Sequence, residues 1–167
     1  MSVITTSEEF DLLQYTLADL MEKAEEDTLL ESRTIPEADT DVYPAVFIPH
    51  LHADRFQRLI MEASTDIYKF VDIHAVADDG LSFVSDEYAD TLTFKIKKNT
   101  FDLNVLKQLD LVIEQALLNY FYSFWFAMIP QRPDIAQRYA QVYQSHRNKA
   151  HRYTLHKKQA KKTYRAY

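Results

Sequence analysis

The stretch FDLNVLKQLDLVIEQALLNYFYSFWFAMI, residues 101–129, determines how the rest of the chain has to be arranged. Its apolar residues recur at steps of three and four, which places them on one side of an α-helix. From Ala116 onward the opposite side is apolar as well. Such a helix must be covered on all sides, either by other elements of this chain or by neighbouring subunits. The residues predicted to form this packing spine or subunit interface are Leu117, Tyr120, Phe121, Phe124, Trp125 and Phe126.

The composition favours a single helical domain. The chain has 167 residues with one glycine, five prolines and no cysteine, which excludes disulfides and thiolate metal sites and disfavours Gly-rich phosphate loops. A membrane span is not expected. The central stretch contains Glu114, Gln115 and Asn119, and its more apolar run, residues 116–129, has 14 residues, whereas a helical span needs about 20.

Charge is distributed unevenly along the chain. Residues 1–134 contain 10 Lys/Arg and all 25 Asp/Glu, a net charge of −15. Residues 135–167 contain 9 Lys/Arg, three histidines and no acid, a net charge of +9. This asymmetry indicates partners of different charge for the two parts of the chain.

The first half of the chain reads as helix, connector and helix. Apolar residues at helical spacing predict a first helix over residues 7–30, with Thr6 and Glu9 as a capping box. Three prolines predict an extended connector over residues 31–51. A second helix is predicted over residues 51–64.

A small sheet is predicted between the second helix and the central stretch. Residues 68–76 fit either a helix or a strand, and Asp78-Asp79-Gly80 is a turn signal. Residues 81–84 and 91–97 then read as strands, the second with clean alternation of apolar and polar side chains. We therefore expect a small antiparallel β-hairpin or three-stranded sheet.

The C-terminal part of the sequence predicts one more long helix, which runs back along the central helix of residues 101–129. Pro130 and Pro133 break the central helix, and Ile135, Tyr139 and Val142 resume helical spacing. The predicted fold is mainly α: a helical bundle with a long C-terminal αα-hairpin and the small sheet inserted before it. One domain spans residues 1–167, with residues 154–167 as a basic C-terminal extension.

No arrangement of residues typical of catalysis, a cofactor site or a metal site is found, so we expect neither an enzyme nor a bound cofactor. His50 and His52 precede Asp54, a spacing that in longer barrel enzymes begins a metal site. This chain is too short for such a barrel, and the two histidines are expected to flank the start of the second helix.

The basic C-terminal residues admit three interpretations: a solvated terminus, a sequence-independent phosphate-binding surface, or a docking surface for an acidic protein. A neighbouring copy of the acidic first 134 residues would serve as that protein in a head-to-tail ring. The candidate contacts to a partner or to the DNA backbone are Arg147, Lys149, Arg152, Lys157, Lys158, Lys161, Lys162 and Arg165.

The order of these segments resembles small proteins encoded among the structural genes of tailed phages and prophages of Bacteroidetes. The similar stretches are TLTFKIKKNTFD (residues 91–102), ALLNYFYSFWFAM (116–128) and DIAQRYAQVYQSHRNKAHRYTLHKKQAKK (134–162). The likeness begins near residue 54 and consists of patterns of residue class.

The resemblance implies a head–tail connector, also called a head-completion, neck or adaptor protein. Such proteins form rings, commonly of twelve copies, below the portal at the capsid vertex, and DNA passes through the lumen. The expected partners are further copies of the chain, the portal, other neck or tail proteins, and DNA contacted without sequence specificity. The expected location is the virion, after synthesis in the bacterial host cytoplasm. The alternative is a small dimeric nucleic-acid-binding regulator that uses the same basic helix.

Overall fold

The structure is a computed structural model, which describes residues 3–6, 9–33, 46–71, 76–85, 90–98, 101–129 and 133–155. It contains four helices and four strands, so the mainly α prediction is confirmed. In chain order the elements are β1 (Val3–Thr6), β2 (Phe10–Thr16), α1 (Leu17–Ser32), α2 (Pro49–Phe70), β3 (Val76–Ser85), β4 (Asp90–Lys97), α3 (Leu103–Phe126) and α4 (Pro133–Leu155).

The sheet has four antiparallel strands in the order β1-β2-β4-β3, so the prediction of two or three strands was too small. Alternate residues of β2 are buried, as expected for a strand with one face against a core, and in β4 Leu92, Phe94 and Ile96 are buried together with Thr93. Tyr15 of β2 packs edge-on against Phe94 of β4, with ring centroids 6.2 Å apart. The Tyr15 hydroxyl donates a hydrogen bond to the backbone carbonyl of Asp110 in α3, and this bond connects the sheet to the central helix.

The predicted first helix over residues 7–30 was wrong in its first half, which forms β2. Strand β2 alternates in burial, with Leu13 and Tyr15 inside, and it pairs along its whole length with β4. The helix begins only at Leu17, where the Thr16 hydroxyl accepts a hydrogen bond from the Asp19 N–H at 3.3 Å. Thr6 therefore ends a strand instead of capping a helix. Steps of three in FDLLQYT fit a helix, but aromatic and β-branched residues favour the strand once a partner strand is present.

The predicted turn at Asp78-Asp79-Gly80 lies inside β3. The pairing register with β4 shifts between Val76 and Leu81, which marks a β-bulge or similar irregularity. Turn-forming residues are accommodated in a strand at such positions. Helix α2 is longer than predicted and continues to Phe70, whereas β3 starts at Val76, so the ambiguous segment contains both a helix end and a strand start.

Helix α3 is covered by its own chain. Phe121 is completely buried, and its ring lies 5.0 Å from Phe47, in the segment before α2, and 4.8 Å from Phe56 of α2. Trp125 packs against Phe47 at 5.5 Å. Four members of the predicted spine are thus core residues of this chain: Leu117, Phe121, Trp125 and Phe126. Burial within the chain is the reason that they are not available as a subunit interface.

Two members of the predicted spine remain accessible. Phe124 is 43% exposed, and Tyr120 is partly buried beside it, with ring centroids 4.9 Å apart. Met128, one turn beyond Phe124, is also exposed. In the aromatic half of α3, a neighbour can therefore reach the surface formed by Phe124 and Met128.

Helix α4 packs along α3 in the opposite direction. Tyr143 contacts Tyr120 with centroids 5.0 Å apart, and Tyr139 stacks on Phe126 at 5.5 Å. Since the residue numbers rise along one helix as they fall along the other, the two helices are antiparallel. Within the described ranges, none of the helices combines the length and apolar character needed to cross a membrane.

Candidate functional site

Carboxylates of α1 and α2 accept hydrogen bonds from side chains of α4. Glu31 at the end of α1 accepts hydrogen bonds from the Arg138 guanidinium at 2.6 Å and from the Tyr139 hydroxyl at 3.0 Å. Asp66 of α2 accepts hydrogen bonds from the Tyr143 hydroxyl and from the Arg147 guanidinium, the latter at 2.7 Å. The first part of the basic helix is therefore bound to acids of its own chain.

The tyrosines of these contacts are proton donors at neutral pH. Burial, together with the Glu31 carboxylate, raises the pKa of the Tyr139 hydroxyl to about 12. Burial and Asp66 likewise raise the pKa of Tyr143. Tyr122 of α3 donates to Asp27 of α1 at 2.6 Å, and burial and that carboxylate raise its pKa as well. Each hydroxyl can therefore donate to its carboxylate throughout the physiological pH range.

Arg147, one of the predicted contacts to a partner or DNA, is engaged within the chain. Besides its ion pair with Asp66, its guanidinium lies over the Phe70 ring, 4.3 Å from the centroid. Only 22% of its side chain is exposed. Because this guanidinium is paired with a carboxylate, stacked on a ring and largely buried, it is poorly placed to bind an external phosphate or carboxylate.

The other basic residues of α4 differ from Arg147. Lys149 and Arg152 are exposed near the C-terminal end of the helix and form no ion pair within the described ranges. Partial burial and the nearby Lys149 charge lower the pKa of His146, which disfavours its protonation there. The five further candidates lie outside the described residues: Lys157, Lys158, Lys161, Lys162 and Arg165. The predicted extension from residue 154 overlaps the helix, since α4 includes Thr154, which is buried, and Leu155.

Acidic residues lie on the exposed side of α1. Glu22, Glu25 and Glu26 are exposed, and the exposed Leu29 and Leu30 follow within two turns. Their helical spacing groups the three carboxylates on neighbouring turns. The chain thus presents negative charge on α1 and positive charge at the end of α4, which agrees with the charge asymmetry of the sequence.

The two histidines of the second helix do not lie on the same face of it. They lie in the first turn of α2, where residues two positions apart point in different directions. The His52 ring packs against Trp125, with centroids 5.0 Å apart, while His50 is exposed. Among the described residues, no group of three or more His, Cys, Asp or Glu side chains is arranged to hold a metal ion.

Sequence reasoning did not identify the carboxylates that hold α4. Tyr139 was recognisable as a member of an apolar stripe, but its partner Glu31 lies 108 residues away along the chain, and Asp66 lies 77 residues from Tyr143. Acids on amphipathic helices are usually solvated, so no local signal distinguishes these two from their exposed neighbours.

No protein-family model, curated protein or solved structure was found to match this chain.

The Asp66 contacts predict a specific acid sensitivity. Burial raises the pKa of the Asp66 carboxyl, but the hydrogen bonds from Tyr143 and Arg147 outweigh it, and the pKa lies below its ordinary value. This stabilisation is present above the unfolded-state pKa of about 4 and is lost as the pH falls through the lowered pKa. We expect Asp66→Asn to lower the free energy of unfolding by about 1–2 kcal/mol at pH 7.

Thermal unfolding between about pH 2 and pH 7 measures this effect. The difference in Tm between wild type and Asp66→Asn should shrink as the pH drops below about 4. Asp54→Asn is the control, because it removes an exposed carboxylate from the same helix. A gap for Asp66→Asn that is the same at all pH values would contradict the assigned contacts.

Proposed function

We propose that the chain is a non-enzymatic structural protein of a phage virion, a head–tail connector or adaptor subunit that forms a ring below the portal. The observation that carries the proposal is the distribution of cations along α4. Those near its start and middle, Arg138 and Arg147, are bound to acids of the same chain, whereas Lys149 and Arg152 are exposed. They lead directly into residues 156–167, which contain five further cations and no acid.

The ring is proposed to close through opposite charges on neighbouring copies. The acidic surface of α1 and the basic end of α4 are different patches, so contact between them is heterologous and generates a ring when the rotation closes. Electrostatic complementarity also fixes the relative orientation of the subunits. The number of copies in this proposal is the twelve that the resemblance implies.

Because most of the predicted spine is buried, other residues must supply the apolar part of a subunit contact. Since Phe121, Trp125 and their neighbours form the core, the apolar part of a subunit contact must come from exposed residues such as Phe124 and Met128. In this proposal the four helices act as one rigid bundle, and α3 and α4 are its C-terminal αα-hairpin. The hairpin then presents the basic segment to a neighbour, to the portal or to DNA in the lumen.

DNA binding as a function of salt separates the connector from the dimeric regulator. A regulator that grips duplex DNA with six or more cations should bind a short duplex tightly, with affinity falling steeply as salt is raised. We expect the connector to bind free duplex weakly, with a dissociation constant of about 10 μM or higher at physiological salt, without sequence preference. Fluorescence anisotropy with two unrelated duplexes of equal length measures both properties. Tight, sequence-dependent binding by a dimer would favour the regulator.

A further inference from the structure

Helix α1 has an outward face on which apolar and acidic side chains are exposed together. Leu29 is 41% exposed, and the adjoining Leu30 is exposed as well. The exposed Glu22, Glu25 and Glu26 precede Leu29 by seven, four and three residues, which places them on the same side of the helix. Within the described part of the chain, these three carboxylates form no ion pair. This face of α1 therefore suits a partner that is both apolar and cationic.

The end of α4 carries the complementary residues in the same order. Lys149 and Arg152 are exposed and precede Leu155, which is 55% exposed, by six and three residues. The cation-to-leucine distance along α4 is thus at most about 9 Å, close to the 10 Å or so between Glu22 and Leu29 on α1. Two helices that lie side by side in the same direction can therefore bring the cations against the carboxylates and the leucines against each other.

This contact cannot form within one chain. Leu29 lies two residues before Glu31, whose carboxylate accepts a hydrogen bond from Tyr139 at 3.0 Å. Leu155 lies 16 residues beyond Tyr139 on the same helix, a distance of about 24 Å along its axis. Leu29 can therefore meet only the Leu155 of another copy.

We infer that this face of α1 binds the end of α4 of a second copy, with the two helices parallel and Leu29 against Leu155. The inference rests on the proposed ring and specifies its contact. In an antiparallel arrangement, Leu155 would oppose Glu22, and Lys149 would oppose Leu29, one turn from the exposed cation of Arg33. That arrangement loses the leucine contact and brings like charges together, so the parallel one is favoured.

A second copy of the chain has the charge that this face of α1 attracts. Residues 135–167 contain 9 Lys/Arg and no acid, so the whole segment around the contact is drawn toward carboxylates. The contact is heterologous, because each copy uses its α1 face for one neighbour and its α4 end for the other. Successive copies then add in one direction.

Engineered cysteines test the contact, because the natural chain has none. Three forms of the full chain carry Leu29→Cys, Leu155→Cys, or both. Oxidation is carried out at about 1 mM chain, where a contact with a dissociation constant of about 1 mM is well populated. We expect disulfides between the two single variants only when they are mixed, and a ladder of linked oligomers from the double variant on a non-reducing gel.

Ala18→Cys combined with Leu155→Cys is the matched control. Ala18 is exposed on the same face of α1, 11 residues before Leu29 and therefore about 16 Å from it. A disulfide requires Cα atoms within about 7 Å, so we expect at least about tenfold less linked product from this pair. Equal yields from the two pairs, a link within a single copy, Leu29→Cys linked to itself, or no link at this concentration would each overturn the inference.

Reversing charges tests the cationic part of the contact in the same assay. Arg152→Glu is expected to lower the yield of the linked double variant at least about fivefold, because it faces carboxylates of the neighbour. Adding Glu25→Lys and Glu26→Lys to that chain should restore the yield. Arg58→Glu makes the same change of charge at an exposed position of α2 and should leave the yield unchanged within about twofold. Failure of the restoring substitutions would contradict the assigned pairing of α4 with α1.

Failure of this inference and failure of the proposed function give different results. A ring on the portal, counted by native mass spectrometry, in which Leu29→Cys and Leu155→Cys do not link would overturn the contact and leave the connector proposal standing. A linked ladder from chains that do not associate with the portal would support the contact and contradict the connector proposal.

Discussion

Replacing Phe121 by alanine is expected to lower the free energy of unfolding by about 3–5 kcal/mol. Phe121 is completely buried, and its ring contacts Phe47, Phe56 and Trp125. These rings come from the segment before α2, from α2 and from α3 itself, so truncation of Phe121 leaves a cavity where three segments meet. Unfolding in urea, followed by tryptophan fluorescence and circular dichroism, measures the loss.

Phe124→Ala is the matched control, since it removes the same side chain from the same helix one turn later. Phe124 is 43% exposed, and we expect a loss of at most about 1 kcal/mol. Similar losses for the two variants would contradict the placement of α3, because they would require both rings to be equally covered. A large loss at Phe124 that depends on protein concentration would indicate that a neighbouring copy covers it.

Neutralising the basic C-terminal segment is expected to weaken association at least about tenfold while leaving the fold intact. The variant carries glutamine at five positions, Lys157, Lys158, Lys161, Lys162 and Arg165, which changes the formal net charge from −6 to −11. The fold should persist because α4 is held by Tyr139, Tyr143 and their carboxylate partners. Binding to purified portal protein, measured at two salt concentrations, reports the effect.

The control for this variant has the same net charge. Glutamine replaces five cations of the first 134 residues: Arg33, Arg58, Lys69, Lys97 and Lys107. If association depends on the basic segment, only the C-terminal variant loses affinity, and the loss is larger at low salt. Equal losses would show that total charge matters and that the segment has no specific role.

The sequence allowed α3, α4 and β4 to be recognised, because each has a long or clean hydrophobic period. It failed for β2, where Phe10, Leu13 and Leu17 fit a helical period. The partner that decides the matter is β4, whose residues lie more than 80 positions away in the pairing of Leu13 with Phe94. The same strand overrides the turn signal at Gly80 by pairing on both sides of it. Local propensity is weak against such tertiary pairing.

Which basic residues of α4 and which spine residues of α3 are exposed could be predicted only in part. Helical spacing was enough to place Lys149 and Arg152 on a basic helix, and the structure shows both exposed. The ion pair between Arg147 and Asp66 could not be predicted from the sequence, because the prediction requires knowing that α4 lies against α2. The spine was overinterpreted for a similar reason. An apolar helix demands cover, but the sequence does not say that Phe47 and Phe56 of the same chain supply it.

The most direct test of the central claim is the mass of the assembled protein. Native mass spectrometry of the full chain, alone and mixed with the portal and neighbouring virion proteins, counts the copies in each species. The connector account predicts a closed ring, with twelve copies on the portal, whether or not the isolated chain is a monomer. A single unassociated copy under both conditions would contradict the account.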